Sequence, residues 1–96
     1  MLERDYQKSL IVKLERMFPG CFILKNDPGY LQGVPDLLIL HGGRWAMLEV
    51  KANAKAPSRP NQNYYVELLN GMSFAAFIHP SNEQEVLDAL RAEFQV

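Results

Sequence analysis

The feature that most constrains the fold is a glycine pair, Gly42-Gly43, between two apolar runs, Leu37–His41 and Arg44–Leu48. Both glycines adopt positive φ without steric cost, so the pattern predicts a β-hairpin. A loop made of the two glycines pairs position 41 with position 44, and a four-residue loop keeps the same register. Either loop places Asp36 directly opposite Glu49 at the far end of the hairpin.

This register brings two like charges together. Residues directly opposite on antiparallel strands have Cβ atoms roughly 4.5–5.5 Å apart, at which distance two carboxylates repel each other. A divalent cation between Asp36 and Glu49 would remove the repulsion and use both side chains. Lys51 follows Glu49 by two residues and therefore shares its face. Two carboxylates beside an ammonium group are the side chains of a metal-dependent hydrolytic site.

Alternation along the second hairpin strand predicts which side chains are buried. One face is entirely apolar, and we expect it to meet the core: Ala46, Leu48 and Val50. The other face is mixed, and we expect it to form the floor of a partly open cleft: Trp45, Met47, Glu49 and Lys51.

The rest of the chain predicts three helices and two more strands in the order αβββαβα. A helical crossover before the last strand makes it parallel to the third strand, so the sheet is mixed. The expected segments are a helix over 2–18 with Leu2 in its apolar stripe, a strand over 21–25, a helix over 61–69 capped by Ser58 or Asn61 and closed by Asn70-Gly71, a strand over 73–79, and a final helix with a capping box at Ser81–Gln84.

Length and composition favour one globular domain spanning residues 1–96. A single cysteine, Cys21, excludes an internal disulfide and a zinc cluster. We find no apolar run of membrane-spanning length and no apolar segment after a basic start, so we expect a cytoplasmic protein without a membrane partner.

The charge is unevenly distributed along the chain. A net charge of −1 argues mildly against nucleic-acid binding, yet nine of the ten Lys and Arg residues lie in residues 1–60 together with the hairpin. The acidic residues after position 60 need no functional explanation, since they are equally consistent with solvated helix faces. Lys55 and Arg59 follow the hairpin closely, and we expect them, with Lys51, to meet phosphates.

The residues at the two ends of the hairpin resemble a known enzyme superfamily. Pro35-Asp36 followed by Glu49-Val50-Lys51 resembles the PD-(D/E)XK nucleases, whose common core has the order αβββαβα. Gly33–Asp36, Leu48–Lys51 and Gln62 are together similar to the VRR-NUC branch, whose stand-alone phage and bacterial members are similar to Holliday junction resolvases. The resemblance implies an α/β fold of restriction-endonuclease type, with a central mixed sheet flanked by helices.

The resemblance also implies roles for individual residues. Asp36, Glu49 and the backbone carbonyl of Val50 would bind magnesium, for which manganese would substitute. Glu3 would complete the metal site, with Asp5 as the alternative. Lys51 and Gln62 are the remaining catalytic candidates: Lys51 would orient or deprotonate the attacking water or stabilise charge on the phosphate, and Gln62 would help organise the site.

Several of these residues have a structural alternative. Glu3 is also a favourable charge in the first turn of a helix, and Gln62 is also a hydrogen-bonding residue at a helix start. His41 and His79 have no partners at metal-ligand spacing and are expected to be structural.

The expected activity is magnesium-dependent endonucleolytic cleavage of DNA, with branched DNA such as a Holliday junction as the substrate. Two symmetric cuts by chains with one site each require a homodimer, with helix one or the Trp45–Met47 face as its interface. The alternatives are a nuclease acting on flaps, duplex ends or RNA, and a non-catalytic DNA-binding dimer of the same fold.

Overall fold

A four-stranded mixed sheet, packed by helices on both faces, organises the chain. The computed structural model describes all residues from 1 to 96. Its elements are α1 (Glu3–Met17), β1 (Phe22–Lys25), β2 (Leu37–His41), β3 (Arg44–Val50), α2 (Pro60–Met72), β4 (Ala75–Ile78) and α3 (Glu83–Phe94).

The predicted hairpin register is confirmed. Strands β2 and β3 pair antiparallel from Leu37 opposite Leu48 to His41 opposite Arg44. Gly42 has φ of 61°, the left-handed conformation for which the turn needs glycine. The register extended by one residue sets Asp36 against Glu49.

The strand order is β1-β2-β3-β4, and β4 lies parallel to β3, as predicted. The parallel pairing runs from Met47 opposite Ala75 to Val50 opposite Ile78. Helix α2 makes the crossover and packs on β3 and β4. An α/β class with a mixed sheet and flanking helices is therefore correct at this level.

One face of the sheet, with α1 and α3, forms the core. Ala46, Leu48 and Val50 are fully buried, as their alternation predicted. Strands β2 and β4 add Leu37, Ile39 and Ile78. The two helices and the C-cap of α1 contribute the other core side chains: Tyr6, Leu10, Leu14, Phe18, Val86, Leu87, Leu90 and Phe94. His41 packs against the rings of Phe18 and Phe94, at centroid distances of 5.9 and 5.4 Å, which agrees with a structural histidine.

Three details of the helix ends differ from the sequence-based expectation. Leu2 is 59% exposed because it precedes α1 rather than joining its buried stripe. Helix α2 continues through Asn70 and Gly71 to Met72, and the Ser73 N–H closes it on the Leu69 carbonyl. Its N-cap is Arg59, whose N–H donates a hydrogen bond to the side chain of Gln62, three residues later.

The capping box predicted at Ser81 is wrong. Helix α3 begins at Glu83 with Asn82 as its N-cap. The Asn82 side chain accepts a hydrogen bond from the His79 N–H at 2.8 Å and donates one to the Phe77 carbonyl at 3.0 Å. These bonds fasten the turn after β4, which shifts the helix start beyond Ser81.

None of the three helices combines the length and the hydrophobicity needed to cross a membrane.

Two leucines of the predicted α1 stripe give a matched test of the packing. Leu10 is 1% exposed and Leu2 is 59% exposed. We expect Leu10→Ala to lower the free energy of unfolding by about 2–5 kcal/mol, because it leaves a core cavity. Leu2→Ala should change it by less than about 0.5 kcal/mol. Urea denaturation followed by circular dichroism measures both, and equal losses would contradict the placement of α1.

Candidate functional site

Asp36 is held at the start of β2 by backbone bonds on one side and a side-chain bond on the other. The Asn26 N–H donates to the Asp36 carbonyl at 2.9 Å, and the Asn26 side-chain amide donates to the Pro35 carbonyl at 2.9 Å. The Asp36 carboxylate accepts a bond from the Val50 N–H at 2.9 Å. Asp36 is thus fixed to both neighbouring strands, with its second oxygen left for another partner.

Glu49 is a buried carboxylate, and only one of its two oxygens has a hydrogen-bond partner. It is 3% exposed. Its Oε2 accepts a hydrogen bond from Gln62 Nε2 at 2.9 Å and lies 3.7 Å from Lys51 Nζ. Its Oε1 is buried and has no hydrogen-bond partner. An unpaired buried charge is unfavourable, so this oxygen requires a proton or a cation.

Burial perturbs both carboxyl groups, and the charge of Asp36 further perturbs Glu49. Burial, then the Asp36 charge, raises the pKa of Glu49 to about 7; Glu3 adds to the rise and Lys51 opposes it. Burial also raises the pKa of Asp36, opposed by the Val50 N–H and by Lys51. The repulsion expected from the hairpin register is therefore present, and one cation beside the pair would relieve it.

Lys51 and Glu49 are more enclosed than the sequence suggested. Lys51 is only 8% exposed, and its Nζ donates to Gln62 Oε1 at 2.9 Å and to the Pro57 carbonyl at 3.1 Å. Each residue lines a cavity, in agreement with the predicted floor of a partly open cleft, but both are nearly covered because Pro57 and Gln62 bind Lys51 and Gln62 binds Glu49. The Lys51 ammonium also lies 6.0 Å from the centre of the Phe77 ring.

Gln62 connects Glu49, Lys51 and the first turn of α2 by hydrogen bonds. Its Oε1 accepts bonds from Lys51 Nζ and, at 3.0 Å, from the Arg59 N–H, while its Nε2 donates to Glu49. The two sequence-based readings of Gln62 are compatible, since one side chain both binds the first turn of α2 and orients Glu49 and Lys51.

A cavity of about 290 Å³ opens onto the carboxylates. Its outer wall is the loop from Asp27 to Gly33, called here the wall loop. Gly33 has φ of +94°, and a Cβ there would lie 2.7 Å from Asn61 Cγ, so the loop meets α2 at a point that admits only glycine. The residues lining the cavity are Pro28, Gly29, Gln32, Gly33, Val34, Asp36, Glu49, Arg59, Asn61 and Gln62.

The remaining candidate residues differ in whether they line the cavities beside the carboxylates. Arg59 is exposed and lines this cavity and a second one. Glu3 is exposed and lines the second cavity with Lys51 and Gln62. Lys55 is exposed and lines neither; its N–H binds the Asn53 side chain. The structure therefore brings Arg59 and Glu3 to the site and leaves Lys55 outside it.

The donor set fits a hard divalent cation held by few protein ligands. No three His, Cys, Asp or Glu side chains are gathered as a metal-binding group, and the role of Glu3 as a further ligand stays a prediction. Magnesium is commonly bound through one or two carboxylates, with water and substrate phosphate filling its other positions. Asp36 and the unpartnered oxygen of Glu49 would hold such an ion, and the Val50 carbonyl remains the predicted third ligand.

Sequence reasoning missed three contributors to the site. Asn26 fixes the entry to β2, Asn61 receives the wall loop, and the Pro57 carbonyl binds Lys51. The turn residues Asn26–Gly29 and the glycine before Val34-Pro35-Asp36 were a signal for the wall loop. The contact of Pro57 had no signal, since it depends on how the segment folds back.

The raised pKa of Glu49 makes stability depend on pH. Its ordinary value of 4.5 rises to about 7 in the fold, so the folded protein holds a proton that the unfolded chain has lost between these values. Without metal, stability should be full below about pH 4.5 and fall by on the order of 3 kcal/mol as the pH rises to about 7. Thermal unfolding in EDTA across this range measures the fall.

Glu49→Gln should remove most of that pH dependence and raise stability at pH 8 in EDTA. Magnesium should stabilise the wild-type protein at pH 8 and have little effect on this variant, because the ion needs the carboxylate. Glu67→Gln, at an exposed position, is the matched control and should behave like wild type. A wild-type stability that is flat from pH 4.5 to 8 would refute the burial of an unpaired Glu49 charge.

Comparison of the chain with protein-family models, with curated proteins and with solved structures found no match. The case for a function therefore depends on the residues and geometry of the site itself.

Proposed function

We propose that this protein is a metal-dependent endonuclease with a restriction-endonuclease-like core, hydrolysing DNA phosphodiester bonds. One observation carries the proposal: Asp36 and Glu49 face one cavity from matched hairpin positions, with Lys51 Nζ 3.7 Å from Glu49. The element order and the sequence Pro35-Asp36…Glu49-Val50-Lys51 support the same function, as does the buried Glu49 oxygen without a partner.

The side chains divide the work of hydrolysis. Asp36 and Glu49 bind the ion, and a bound magnesium supplies Lewis-acid activation of water and neutralises charge on the phosphate. Gln62 holds Glu49 through its amide and Lys51 through its carbonyl, and so fixes the distance between ligand and ammonium. Positioning residues of this kind typically contribute 10- to 100-fold to metal affinity or activity.

For Lys51 we favour electrostatic stabilisation over proton abstraction. Its ammonium donates to two carbonyl oxygens, those of Pro57 and Gln62, and lies near the Glu49 carboxylate. These acceptors suit a group that donates hydrogen bonds. A phosphate oxygen entering the site replaces one of them, and Lys51 then stabilises the charge that develops during cleavage.

DNA is the proposed substrate, and branched DNA is the proposed form of it. We also propose that the protein acts in the cytoplasm of a bacterial or phage-infected cell. Arg59 stands at the cavity mouth, where it would bind a phosphate next to the one cleaved. Lys55 would add a weaker contact farther along the strand. A four-way junction needs two symmetric cuts, and each chain has one such site, so the active form is a homodimer.

For the dimer interface we propose the sheet face opposite the core. Strand pairing aligns Phe22, Leu40 and Trp45 across this face, and Leu24 lies beside them in the next row. Phe22, Leu24 and Leu40 are 61%, 41% and 37% exposed, whereas the apolar stripe of α1 is buried within the chain. A second copy bound here in two-fold symmetry would cover three apolar side chains per chain and share the face that carries Glu49.

Cleavage of labelled DNA tests the activity. A four-way junction and a linear duplex of matched sequence are incubated with magnesium, manganese or EDTA. We expect paired cuts in the junction with either metal and none in EDTA. Asp36→Asn should reduce cleavage to background, Lys51→Gln by about 10²–10³-fold and Gln62→Ala by about 10–100-fold. Asp88→Asn, an exposed position on α3, is the matched control and should be fully active.

Other outcomes of this experiment select among the alternatives. Equal cutting of junction and duplex would keep the nuclease and reject branch selectivity. Binding without cutting in either metal would leave a non-catalytic DNA-binding protein. Cleavage that survives Asp36→Asn would reject the assigned site.

Two substitutions to glutamate distinguish the possible interfaces. Leu24 lies on the sheet face, and Val12 is an exposed apolar residue on α1, 45% accessible. We expect sedimentation velocity to give a wild-type mass twice that of the 11.0 kDa chain, a monomer for Leu24→Glu, and a dimer for Val12→Glu. Dissociation by Val12→Glu alone would move the interface to α1, and a monomeric wild type would reject the dimer.

A further inference from the structure

The wall loop carries an aromatic side chain at its tip that nothing in the fold uses. Tyr30 is 88% exposed, more than any other aromatic residue; Phe22 follows at 61%. Its ring belongs to none of the aromatic pairs, unlike Tyr64, which packs edge-on against Tyr65. A bare tyrosine ring on a loop contributes nothing to the core, so its position needs another explanation.

The wall loop holds Tyr30 in a defined place. The Asp27 carboxylate accepts a hydrogen bond from the Gly29 N–H at 2.8 Å, and the Asp27 carbonyl accepts bonds from the Tyr30 and Leu31 N–H groups at 3.2 and 3.3 Å. At its other end, the Asn61 side chain donates to the Gln32 carbonyl at 3.2 Å. The ring is thus presented by a turn that is bonded internally and tied to α2.

The same turn forms the wall of the carboxylate cavity. Residues on both sides of Tyr30 in sequence, Pro28-Gly29 and Gln32-Gly33, line the cavity together with Asp36 and Glu49. Tyr30 itself does not line it. Tyr30 is therefore an exposed aromatic residue between two cavity-lining segments of the wall loop.

The chemistry of the wall loop favours stacking over phosphate binding. Residues 26–43 contain no Lys or Arg, and of their two acidic residues Asp27 is used within the turn and Asp36 belongs to the carboxylate pair. A loop without positive charge gains nothing from the phosphate backbone. Exposed aromatic rings instead bind nucleic acid by stacking on bases, which works for any base that is not already stacked in a duplex.

We propose that Tyr30 stacks on an unpaired nucleobase of the strand whose phosphate lies at Asp36 and Glu49. This inference rests on the proposed nuclease function and narrows its substrate. A base inside a continuous duplex is covered on both faces by its neighbours, so the substrate must offer an unpaired base beside the cleaved phosphate. Flaps and single-stranded ends offer one, a four-way junction offers one when a base pair at its branch point opens, and the interior of a linear duplex does not.

Fluorescence of 2-aminopurine tests the contact directly, because stacking quenches it. The probe is placed at the unpaired base next to the junction of a flap substrate, and a blunt duplex of matched sequence carries the same probe within a pair. Asp36→Asn protein is used as the background so that binding is observed without cleavage. Tyr30→Ala, Tyr30→Phe and Tyr30→Trp are compared in it, with Tyr64→Ala, an exposed tyrosine lining a separate groove, as the matched control.

We expect Tyr30→Ala to weaken flap binding by about 5- to 100-fold, to abolish the quenching, and to leave duplex binding and the salt dependence unchanged. Tyr30→Phe and Tyr30→Trp should bind like the parent, since the ring is what matters. Tyr64→Ala should also bind like the parent. The melting temperature of Tyr30→Ala should be unchanged, because the side chain is exposed.

Three results would overturn the inference: Tyr30→Ala binding the flap as tightly as the parent, Tyr30→Phe losing as much as Tyr30→Ala, or Tyr30→Ala changing the oligomeric state, which would make Tyr30 a subunit contact. Failure of the proposed function is separate, because it appears in the protein with Asp36 intact as absence of cleavage. A wild-type protein that cleaves flaps and is indifferent to Tyr30→Ala would reject the stacking contact alone.

Discussion

The rest of the site depends on one electrostatic interaction, the repulsion between two carboxylates that lie opposite each other at the end of the hairpin. Asp36 and Glu49 are neighbours because Gly42-Gly43 fixes the register. Glu49 is buried, since β3 lies between β2 and β4, whereas Asp36 is half-buried. No side chain or backbone group of the protein fully compensates this repulsion, since Glu49 Oε1 has no hydrogen-bond partner. A site built this way is most stable when a cation or a proton is bound.

Hydrogen bonds from the surrounding residues hold the two carboxylates in place despite their repulsion. The Val50 N–H holds one oxygen of Asp36, and Gln62 holds one oxygen of Glu49 while binding Lys51 and the first turn of α2. The wall loop closes the other side, where Gly33 meets Asn61. Each contact leaves one carboxylate oxygen without a hydrogen-bond partner, so the restraints position the pair without neutralising it. Such preorganisation suits a site that must bind an ion and a phosphate together.

Local patterns predicted the sheet and the two carboxylates well, because register and alternation follow from the turn residues and from the two-residue period of a strand. They also predicted the parallel β4. They failed where side chains compete for backbone groups: Asn82, not Ser81, caps α3, and Gln62 turns back on Arg59. The burial of Lys51 depends on the path of residues 52–59, which no period encodes.

The most direct test of the buried carboxylate pair is the number of protons released when magnesium binds. Calorimetric titrations in buffers of different ionisation enthalpy give this number as a function of pH. Because the pKa of Glu49 is raised to about 7, we expect about one proton per ion near pH 6 and almost none near pH 8.5. Glu49→Gln should bind weakly and release none. Magnesium binding without proton release at pH 6, or equal binding by Glu49→Gln, would contradict a metal centre formed by Asp36 and Glu49.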